Sequence, residues 1–341
     1  MTNQESKFEL AIVLPVLNDE KFIGPTLDQI YLQDFSIDKV EIVVADAGST
    51  DRTREIAETF KTRFGSLKVL ENTPRKPSAG RNLGVKNTTA PYVVFLLGRI
   101  HIPGKDLLRN IIELFKTTGA SCLCQPLSLN PPDINEFQTA VALCRRSLLG
   151  HKPGSEVYTD FEGEVDPTSS GAMYTRALFE KVGYFDESFE ACEDIDLNFR
   201  IKQAGLKSYT SPKLNVYCYP HSSVKGLWRQ MIRYGKGMFH FAWKHREFSL
   251  MQLSTGAEVA GFFLLLLLSL FSSAVASVFR TVLAMYLLLV IFFSLYLAVK
   301  HKHLGCLLFG PLIFSTIHFG LGAGFLSGLY EQLVKRKTPE S

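Results

Sequence analysis

Cysteine chemistry has little place in this chain. The 341 residues include only six cysteines, at positions 122, 124, 144, 192, 218 and 306. No two of them have the spacing of a disulfide framework or of a cysteine-based metal site. This excludes a small disulfide-stapled secreted domain. Packing is the expected role of Cys122 and Cys124, which point to the same face of one predicted strand.

The amino terminus lacks the apolar run of a secretory signal peptide, because its first ten residues read MTNQESKFEL. A strong charge imbalance is also missing, since the formal net charge is only +4. We find neither an internal repeat nor a low-complexity segment. A chain of this length can form about two domains with a full-sized core. We expect its first two hundred residues or so to stay in the reducing cytoplasm.

The stretch from Glu41 to Thr59 predicts a strand, an acidic turn and a helix. Ile42 to Ala45 form an apolar, β-branched run typical of a buried parallel strand. The run stops at Asp46, and Thr50 or Asp51 can cap the following helix. Such a unit makes a crevice of nucleotide size. A capped surface turn is the plainer alternative.

The same alternation continues on both sides of this stretch. Strands are predicted at residues 8–17, 40–45, 67–70 and 92–97. Helices are predicted at residues 19–32, from Asp51 onward and from Pro77 onward. This β-α-β order indicates a parallel sheet with helices on both faces.

Four segments resemble one known family in the expected order. They are Leu14–Glu20 (LPVLNDE), Asp46–Thr53 (DAGSTDRT), Gly80–Gly84 (GRNLG) and Cys192–Leu197 (CEDIDL). They are similar to the first nucleotide-binding turn, the D-x-G-S-x-D turn, the A-R-N-x-G helix start and the E-D-x-D-L segment of family 2 glycosyltransferases. The resemblance covers roughly residues 8 to 240. It implies the GT-A fold, a Rossmann-like nucleotide-binding mixed sheet with flanking helices.

The resemblance also implies roles for individual residues. Asp194 would be the catalytic base, accompanied by Glu193 at the start of a helix, whose amino terminus favours ionised carboxylates. Capping of that helix is the plainer alternative, and Asp196 and Arg200 can pair along it. The residues expected to bind the nucleotide sugar are Pro15, Val16, Leu17, Asn18, Glu20, Asp46, Gly48, Ser49, Arg81, Asn82 and Arg99.

The sequence departs from the family after the strand at residues 92–97. The family usually has Asp-x-Asp here, binding a divalent cation, Mg or Mn, that bridges the sugar diphosphate. Leu97 and Arg99 occupy those two positions, so such a cation has lost its usual ligands. Either the chain is a degenerate, inactive member, or Arg99 supplies the positive charge itself with its bidentate guanidinium. His101 would face the same way if the strand continued.

Further helices are predicted downstream. Residues 106–117 read as a helix, 120–129 as a strand, and 130–168 as one helix (135–148) followed by a flexible loop over the site. Residues 223–247 form an amphipathic basic pattern that suits a membrane interface, with packing on the protein's own core as the alternative. Its apolar stripe consists of Leu227, Met231, Tyr234, Met238 and Phe241.

Gln230 to Tyr234 is similar to the Q-x-x-R-W motif of processive family 2 synthases, with Tyr234 in place of Trp. Gln230 and Arg233 would face the polar side and line the acceptor entrance. His221 is a candidate for the diphosphate side, with a structural role as the alternative.

The last third of the chain contains three apolar stretches, residues 259–279, 281–299 and 304–329. Each of the first two is long enough to cross about 30 Å of hydrocarbon. Arg280 lies in the short gap between them, which predicts a tight hairpin there. The third is interrupted by Gly310-Pro311, so it is either re-entrant or breaks the positive-inside rule.

These observations give one expectation for the whole chain. It has a GT-A domain at 1–222, an interfacial helix at 223–250, a transmembrane region at 256–330 and a basic tail at 331–341. It transfers a sugar with inversion from a nucleotide sugar to a lipid-linked or polysaccharide acceptor. The alternatives are a polyprenyl-phosphate glycosyltransferase and an inactive scaffold subunit of a glycan-assembly complex. The expected partners include membrane lipids but no nucleic acid, and the location is the cell membrane, multi-pass, with the catalytic domain cytoplasmic.

Overall fold

The structure is a computed structural model that describes residues 6–150 and 160–335. The chain divides into two packing units. The first comprises Met1–Pro132 and Ser155–Tyr219, and the second comprises Asp133–Gly154 and Pro220–Ser341. Residues 133–150, which the sequence analysis assigned to the first domain, therefore pack with the second unit. Part of the loop expected over the site, residues 151–159, lies outside the described residues.

The first unit contains all the described strands. They are β1 (Leu10–Val16), β2 (Val40–Asp46), β3 (Leu67–Glu71), β4 (Tyr92–Phe95), β5 (Ile100–His101), β6 (Cys122–Cys124), β7 (Leu127–Ser128), β8 (Gly163–Glu164), β9 (Gly171–Thr175), β10 (Ser208–Thr210) and β11 (Val216–Cys218). Eight of them form a mixed sheet in the order β3-β2-β1-β4-β9-β6-β10-β8. β1 to β4 run parallel, whereas β9 runs antiparallel to β4 and β6.

A smaller sheet in the order β5-β11-β7 corrects two strand predictions. The strand expected at residues 92–97 ends at Phe95, and β5 begins in this other sheet. The strand expected at 120–129 is two strands, because β6 belongs to the large sheet and β7 to the small one. A hydrophobic run shows that a segment is buried, but it does not show which sheet takes each half.

Six helices flank these sheets. They are α1 (Ile23–Tyr31), α2 (Thr53–Thr59), α3 (Pro77–Lys86), α4 (Leu107–Thr118), α6 (Arg176–Val182) and α7 (Glu193–Gln203). α3 packs closely on β1: a Cβ added to Gly84 would lie only 2.3 Å from Cγ1 of Val13. The last glycine of the GRNLG motif therefore allows a helix to approach the central strand, a contact that any side chain would obstruct.

The second unit is helical in its described part. Its helices are α5 (Glu136–Arg146), α8 (Val224–His245), α9 (Leu250–Ser269), α10 (Ser273–His301) and α11 (Gly305–Lys335). The hairpin predicted at Arg280 is wrong: the chain turns between Ser269 and Ser273, and Arg280 lies inside α10. Ser272 accepts a hydrogen bond from the backbone of Val275 and so caps α10. Capping sets where a helix starts, and an isolated charge does not.

α11 is one continuous helix, so the predicted interruption at Gly310-Pro311 is also wrong. A Cβ on Gly310 would lie 2.3 Å from Oγ of Ser294, which shows that α10 approaches closely at this point. Neighbouring helices that pack this tightly allow a proline inside an apolar helix.

The apolar stripe of α8 is buried against α11. Leu227, Met231 and Phe241 are buried. A Cβ on Gly324 would lie 2.2 Å from the carbonyl oxygen of Ile232, so the two backbones nearly touch. The stripe is therefore a helix–helix contact, as in the alternative noted above, and not a free membrane-binding face. Small residues spaced along α11 permit this approach.

In the part of the chain that the structure describes, two helices are long and apolar enough to cross a membrane, Ser273–His301 and Gly305–Val334. The apolar helix before them, Leu253–Ser269, is shorter. Only 17% of the most apolar part of α10 is buried, against 44% for α11. α10 thus exposes the larger apolar surface, whereas α11 is a central packing helix of the second unit.

Candidate functional site

The candidate site lies where β1, β2 and β4 end. Val16 and Asp46 face each other at the last register position of β1 and β2. The loops that follow, residues 17–22 and 47–52, therefore leave the same edge of the sheet. This edge is where open α/β sheets bind their ligands.

The carboxylate of Asp46 holds the turn that forms one side of the crevice. Its carboxylate accepts hydrogen bonds from the backbone N–H of Ser49 at 3.2 Å and from the Ser49 hydroxyl at 2.5 Å. The same hydroxyl oxygen accepts the backbone N–H of Asn18 at 2.9 Å. Asp46 is buried, with 2% of its surface exposed. A buried carboxylate with local donors holds the turn in one conformation.

Further hydrogen bonds tie the two loops together. Oδ1 of Asn18 accepts the backbone N–H of Thr50 at 2.8 Å, and Oδ2 of Asp51 accepts that of Glu20 at 3.1 Å. Oε2 of Glu20 in turn accepts the backbone N–H of Arg52 at 3.2 Å. The predicted binding residues Asn18, Glu20 and Ser49 therefore use polar atoms in hydrogen bonds between the two loops. Their first effect is to build a rigid crevice.

The β1 segment contributes mainly backbone and apolar surface. The Val16 carbonyl accepts the N–H of Ala47 at 2.9 Å, and the Val16 side chain is buried. Pro15 is partly buried, whereas 52% of Leu17 is exposed. Leu17 is thus the accessible member of this predicted trio.

Arg75 is a residue that the sequence analysis did not place in the site. Gly48 has φ of +82°, and a Cβ on it would lie 3.0 Å from Nε of Arg75. The guanidinium therefore lies against the Asp46–Ser49 turn, where only glycine leaves room for it. Residues 73–78 (TPRKPS) form a basic stretch in the sequence, but no local sequence pattern shows that Arg75 folds back onto this turn.

Asp19 and Arg99 lie near each other at the other side of the crevice. Burial raises the pKa of the Asp19 carboxyl above its ordinary value, and the nearby Arg99 guanidinium opposes that rise. A Cβ on Gly98 would lie 3.0 Å from Oδ2 of Asp19, so the loop after β4 passes directly over this carboxylate. Asp19 was within a quoted motif but was not assigned a role, because its facing residue lies 80 positions away in the sequence.

The residues that replace Asp-x-Asp do not fit a cation. Leu97 is an exposed hydrocarbon side chain, and Arg99 carries positive charge. Within residues 6–150 and 160–335, no cluster of three His, Cys, Asp or Glu side chains could hold a metal ion. His101 and Arg99 are not on one continuous strand, because the strand is interrupted at residues 96–99. The His101 ring stacks on Tyr217, with ring centroids 5.9 Å apart.

Arg81 and Glu193 form a buried ion pair at the end of β4. Nη1 of Arg81 lies 2.7 Å from Oε1 of Glu193, with side-chain exposures of 15% and 6%. The guanidinium also lies 5.2 Å and 5.8 Å from the ring centroids of Phe185 and Phe95. This pair joins α3 to the first turn of α7. Arg81, which the resemblance assigns to donor binding, is thus paired with Glu193, and its contact with a donor stays a prediction.

Asn82 also serves the protein interior. Its amide nitrogen donates to the Phe185 carbonyl at 2.9 Å and to Oε1 of Glu187 at 2.8 Å, and its oxygen accepts the Phe185 N–H at 3.0 Å. The side chain is buried. Asn82 therefore holds the segment before α7, and its expected contact with a donor stays a prediction.

Asp194 lies beside this pair in the first turn of α7. Cys192 precedes the helix with φ of +65°, a left-handed conformation that turns the chain into α7. Oδ1 of Asp194 accepts the N–H of Ile195 at 2.9 Å, and the residue is half-buried. Asp196 is fully buried and pairs with Arg200 at 2.9 Å, as predicted. Among the three acidic residues of this turn, Asp194 alone combines partial exposure with no ion pair in the described part of the chain.

The residues predicted for the acceptor side belong to the second unit. Nε2 of Gln230 donates to the Tyr234 hydroxyl at 3.1 Å on α8, and Arg233 is exposed, as predicted. His221 lies against the first turn of α8, since a Cβ on Gly226 would be 2.8 Å from its Nδ1. His318 makes helix–helix contacts, with Nδ1 3.1 Å from the Tyr286 hydroxyl.

Two family profiles match this sequence. The one described as Glycosyl transferase family 2 matches residues 11–183, and the one described as Glycosyl transferase family group 2 matches residues 104–325. The first range contains the crevice, and the second extends through α5, α8, α9 and α10 into α11.

Curated relatives are similar over most of their own length. Dolichyl N-acetyl-alpha-D-glucosaminyl phosphate 3-beta-D-2,3-diacetamido-2,3-dideoxy-beta-D-glucuronosyltransferase of Methanococcus voltae is 28% identical over 253 residues, 69% of this chain and 76% of that protein. The succinoglycan biosynthesis protein ExoA of Rhizobium meliloti is 30% identical over 237 residues, 69% of this chain and 70% of that protein.

Solved structures share the fold. The mannosyltransferase PcManGT from Pyrobaculum calidifontis, in complex with GDP-Man and Mn2+, matches with a TM-score of 0.62 and 18% identity, over 96% of this chain and 89% of that chain. A crystal structure of S. aureus TarS matches with a TM-score of 0.52 and 20% identity, over 72% of this chain and 68% of that chain. The GT-A fold expected from the sequence is confirmed. Together with the profile over residues 11–183 and the 30% identical relative, these findings establish that the chain belongs to glycosyltransferase family 2.

Proposed function

We propose that this glycosyltransferase moves a sugar from a nucleotide-sugar donor to a lipid-linked or glycan acceptor, with inversion at the anomeric carbon. The observation that carries the proposal is the position of Asp194, a half-buried carboxylate beside the Arg81–Glu193 pair. Support also comes from the relatives: one is named for a dolichyl phosphate-linked sugar, and the PcManGT structure contains GDP-Man.

The donor nucleotide occupies the crevice between the loops at 17–22 and 47–52. Asp46 and the backbone near Leu17 face the base and ribose. Arg75, held against Gly48, brings a positive charge to the same turn. Because the hydrogen bonds between the two loops exist before any ligand binds, the crevice does not have to be ordered at the moment of binding.

Asp194 acts as the general base. It takes the proton from an acceptor hydroxyl while that oxygen forms a bond to the anomeric carbon. The bond from that carbon to the diphosphate breaks at the same time, and the nucleoside diphosphate leaves with the electron pair. Glu193 does not share this task, because Arg81 occupies its carboxylate. Its role is to fix the start of α7, and thereby Asp194.

The leaving diphosphate requires positive charge, and in this proposal Arg99 supplies it. Leu97 and Arg99 cannot supply the carboxylate ligands that a bridging cation needs, so no step is assigned to a metal here. The carboxyl group of Asp19 is near enough to Arg99 for the two charges to interact. Arg81 pairs with Glu193, and the His101 ring stacks on Tyr217.

The second unit anchors the protein in the cell membrane. α10 exposes large apolar side chains along its length, including Met285, Leu288 and Phe292. Lys300 and Lys302 at its carboxyl end follow the positive-inside pattern, which assigns that end to the cytoplasmic side. A cytoplasmic catalytic unit then requires the shorter apolar helix α9 to cross the membrane as well. Crossing by both α10 and α11 makes the protein multi-pass.

The test is an Asp194→Asn variant compared with Asp38→Asn, which changes an exposed aspartate outside the crevice. Asp194→Asn should bind the donor normally but lose at least about a hundredfold in turnover, the lower range for general-base catalysis. Asp38→Asn should retain full turnover. Retained turnover in Asp194→Asn would show that the proton goes elsewhere.

The acceptor is tested in the same assay. Sugar transfer onto polyprenyl phosphate itself, and not onto a lipid-linked sugar, would favour the alternative within this class. Donor binding without transfer to any acceptor would favour the scaffold alternative.

A further inference from the structure

A cleft in the second unit lies outside the proposed donor and acceptor sites. It has a volume of about 490 Å³ and lies between the end of α5 and the end of α10. This volume is within the usual range of ligand sites. No residue expected from the family resemblance lines it.

The mouth of the cleft is basic. Arg146 ends α5, and Lys300 and His301 end α10. Neither Asp nor Glu is among the lining residues. Within residues 6–150 and 160–335, no ion pair neutralises Arg146 or Lys300. Cations at helix carboxyl ends do complement the helix dipole. Interaction with the helix dipole does not, however, explain why an apolar cleft lies next to Arg146 and Lys300.

The body of the cleft is apolar. Phe292, Phe293 and Leu297 of α10 line it together with Leu143 and Leu148 of the α5 side. Phe292 is 63% exposed and Leu148 is 68% exposed, so the apolar wall is open at its surface. Tyr296 lies between the apolar wall and the basic residues of the cleft, because Nζ of Lys300 lies 5.4 Å from the centroid of the Tyr296 ring.

We propose that this cleft binds one membrane lipid with an anionic phosphate head, held by Arg146 and Lys300, with its chain along the Phe292–Tyr296 face of α10. Charge complementarity selects the head, because a phosphate accepts hydrogen bonds from a guanidinium and an ammonium together. The exposed apolar wall selects a chain. The inference rests on the proposed membrane location, since it requires α10 to be in contact with lipid.

Lipid binding to the purified full chain tests this without any sugar donor, so it is independent of the transfer assay. Delipidated protein is titrated with short-chain phosphatidic acid, with phosphatidylcholine of the same chains, and with glycerol 3-phosphate. Native mass spectrometry counts the bound molecules. We expect one tight phosphatidic acid, at least about tenfold weaker phosphatidylcholine and no bound glycerol 3-phosphate, which has no chain.

The variant Arg146→Gln/Lys300→Gln should lose at least about tenfold in phosphatidic acid affinity. Arg280→Gln is the matched control, because it removes an exposed charge elsewhere on α10 and should change nothing. Arg146→Lys/Lys300→Arg keeps both charges and should retain binding, which separates loss of the site from loss of fold. Unchanged affinity in the Gln double variant, or equal binding of phosphatidylcholine, would overturn the proposal. Binding of glycerol 3-phosphate as tight as the lipid would do so too, since it would indicate a simple phosphate patch.

Discussion

Replacement of Glu193 should damage stability more than it damages the chemical step. The Arg81–Glu193 contact is 2.7 Å long, and its side chains are 15% and 6% exposed. Removing one partner of such a pair leaves the other charge buried and typically costs about 3–5 kcal/mol. Arg81 keeps its contacts with the rings of Phe95 and Phe185 in the variant. We therefore expect Glu193→Ala to lower the free energy of unfolding by about 3 kcal/mol, the lower end of that range.

The size of the effect can be followed by thermal unfolding. For a domain of about 200 residues, 1 kcal/mol corresponds to roughly 2–4 °C, so Glu193→Ala should lower the Tm by about 6–12 °C. Glu193→Gln keeps an oxygen that accepts a hydrogen bond from Arg81, so it should lower the free energy of unfolding by only about 1 kcal/mol. Asp194→Ala removes a half-exposed carboxylate that bonds its own helix, and should also cost only about 1 kcal/mol.

A double-mutant cycle measures the pair itself. Arg81→Met with Glu193→Leu replaces the two charges by apolar groups, and it should be more stable than Glu193→Ala because no unpaired charge remains. The coupling energy should exceed about 1 kcal/mol. The reasoning is refuted if Glu193→Ala and Asp194→Ala have equal Tm values, or if the effects at 81 and 193 simply add. Stable protein with turnover lost only in Glu193→Ala would make Glu193 the base.

Two further predictions concern the donor. Asp46→Ala should weaken donor nucleotide binding by about 1–3 kcal/mol, because it unpairs Ser49 and removes a polar partner of the ligand; calorimetric titration that finds unchanged affinity would contradict this assignment. Sugar transfer should survive exhaustive chelation, and Arg99→Ala should be far worse than Arg99→Lys, which keeps the charge but loses the fork. Activity that disappears with chelator and returns with manganese would mean that ligands other than those at 97 and 99 hold a metal.

Several features of the first unit could be predicted from the sequence because they depend on local order. The run Ile42–Ala45 and the alternation of strands and helices determined the parallel half of the sheet. The helix predicted at residues 106–117 matches α4 within one residue at each end, and the helix predicted from Pro77 onward begins at that residue. The pairing of Asp196 with Arg200 followed from their spacing of one helical turn.

Other features required contacts between distant segments. The partner of Glu193 is Arg81, which lies 112 positions earlier, and no local pattern joins them. The same holds for Arg99 opposite Asp19 and for Arg75 over Gly48. The tertiary contacts show which predicted residues are partly exposed, such as Asp194, and which are buried in contacts with other residues, such as Glu193.

The second unit shows the same division most clearly. Its apolar composition was sufficient to predict long hydrophobic helices, because burial or lipid is the only favourable environment for such runs. Composition could not show that Arg280 lies within α10, since the capping hydrogen bond at Ser272 decides where that helix begins. Nor could it tell a lipid-facing stripe from a packed one: α8 is amphipathic in either case. Only the folded chain, in which glycines of α11 let the two backbones meet, decided that the stripe of α8 faces protein.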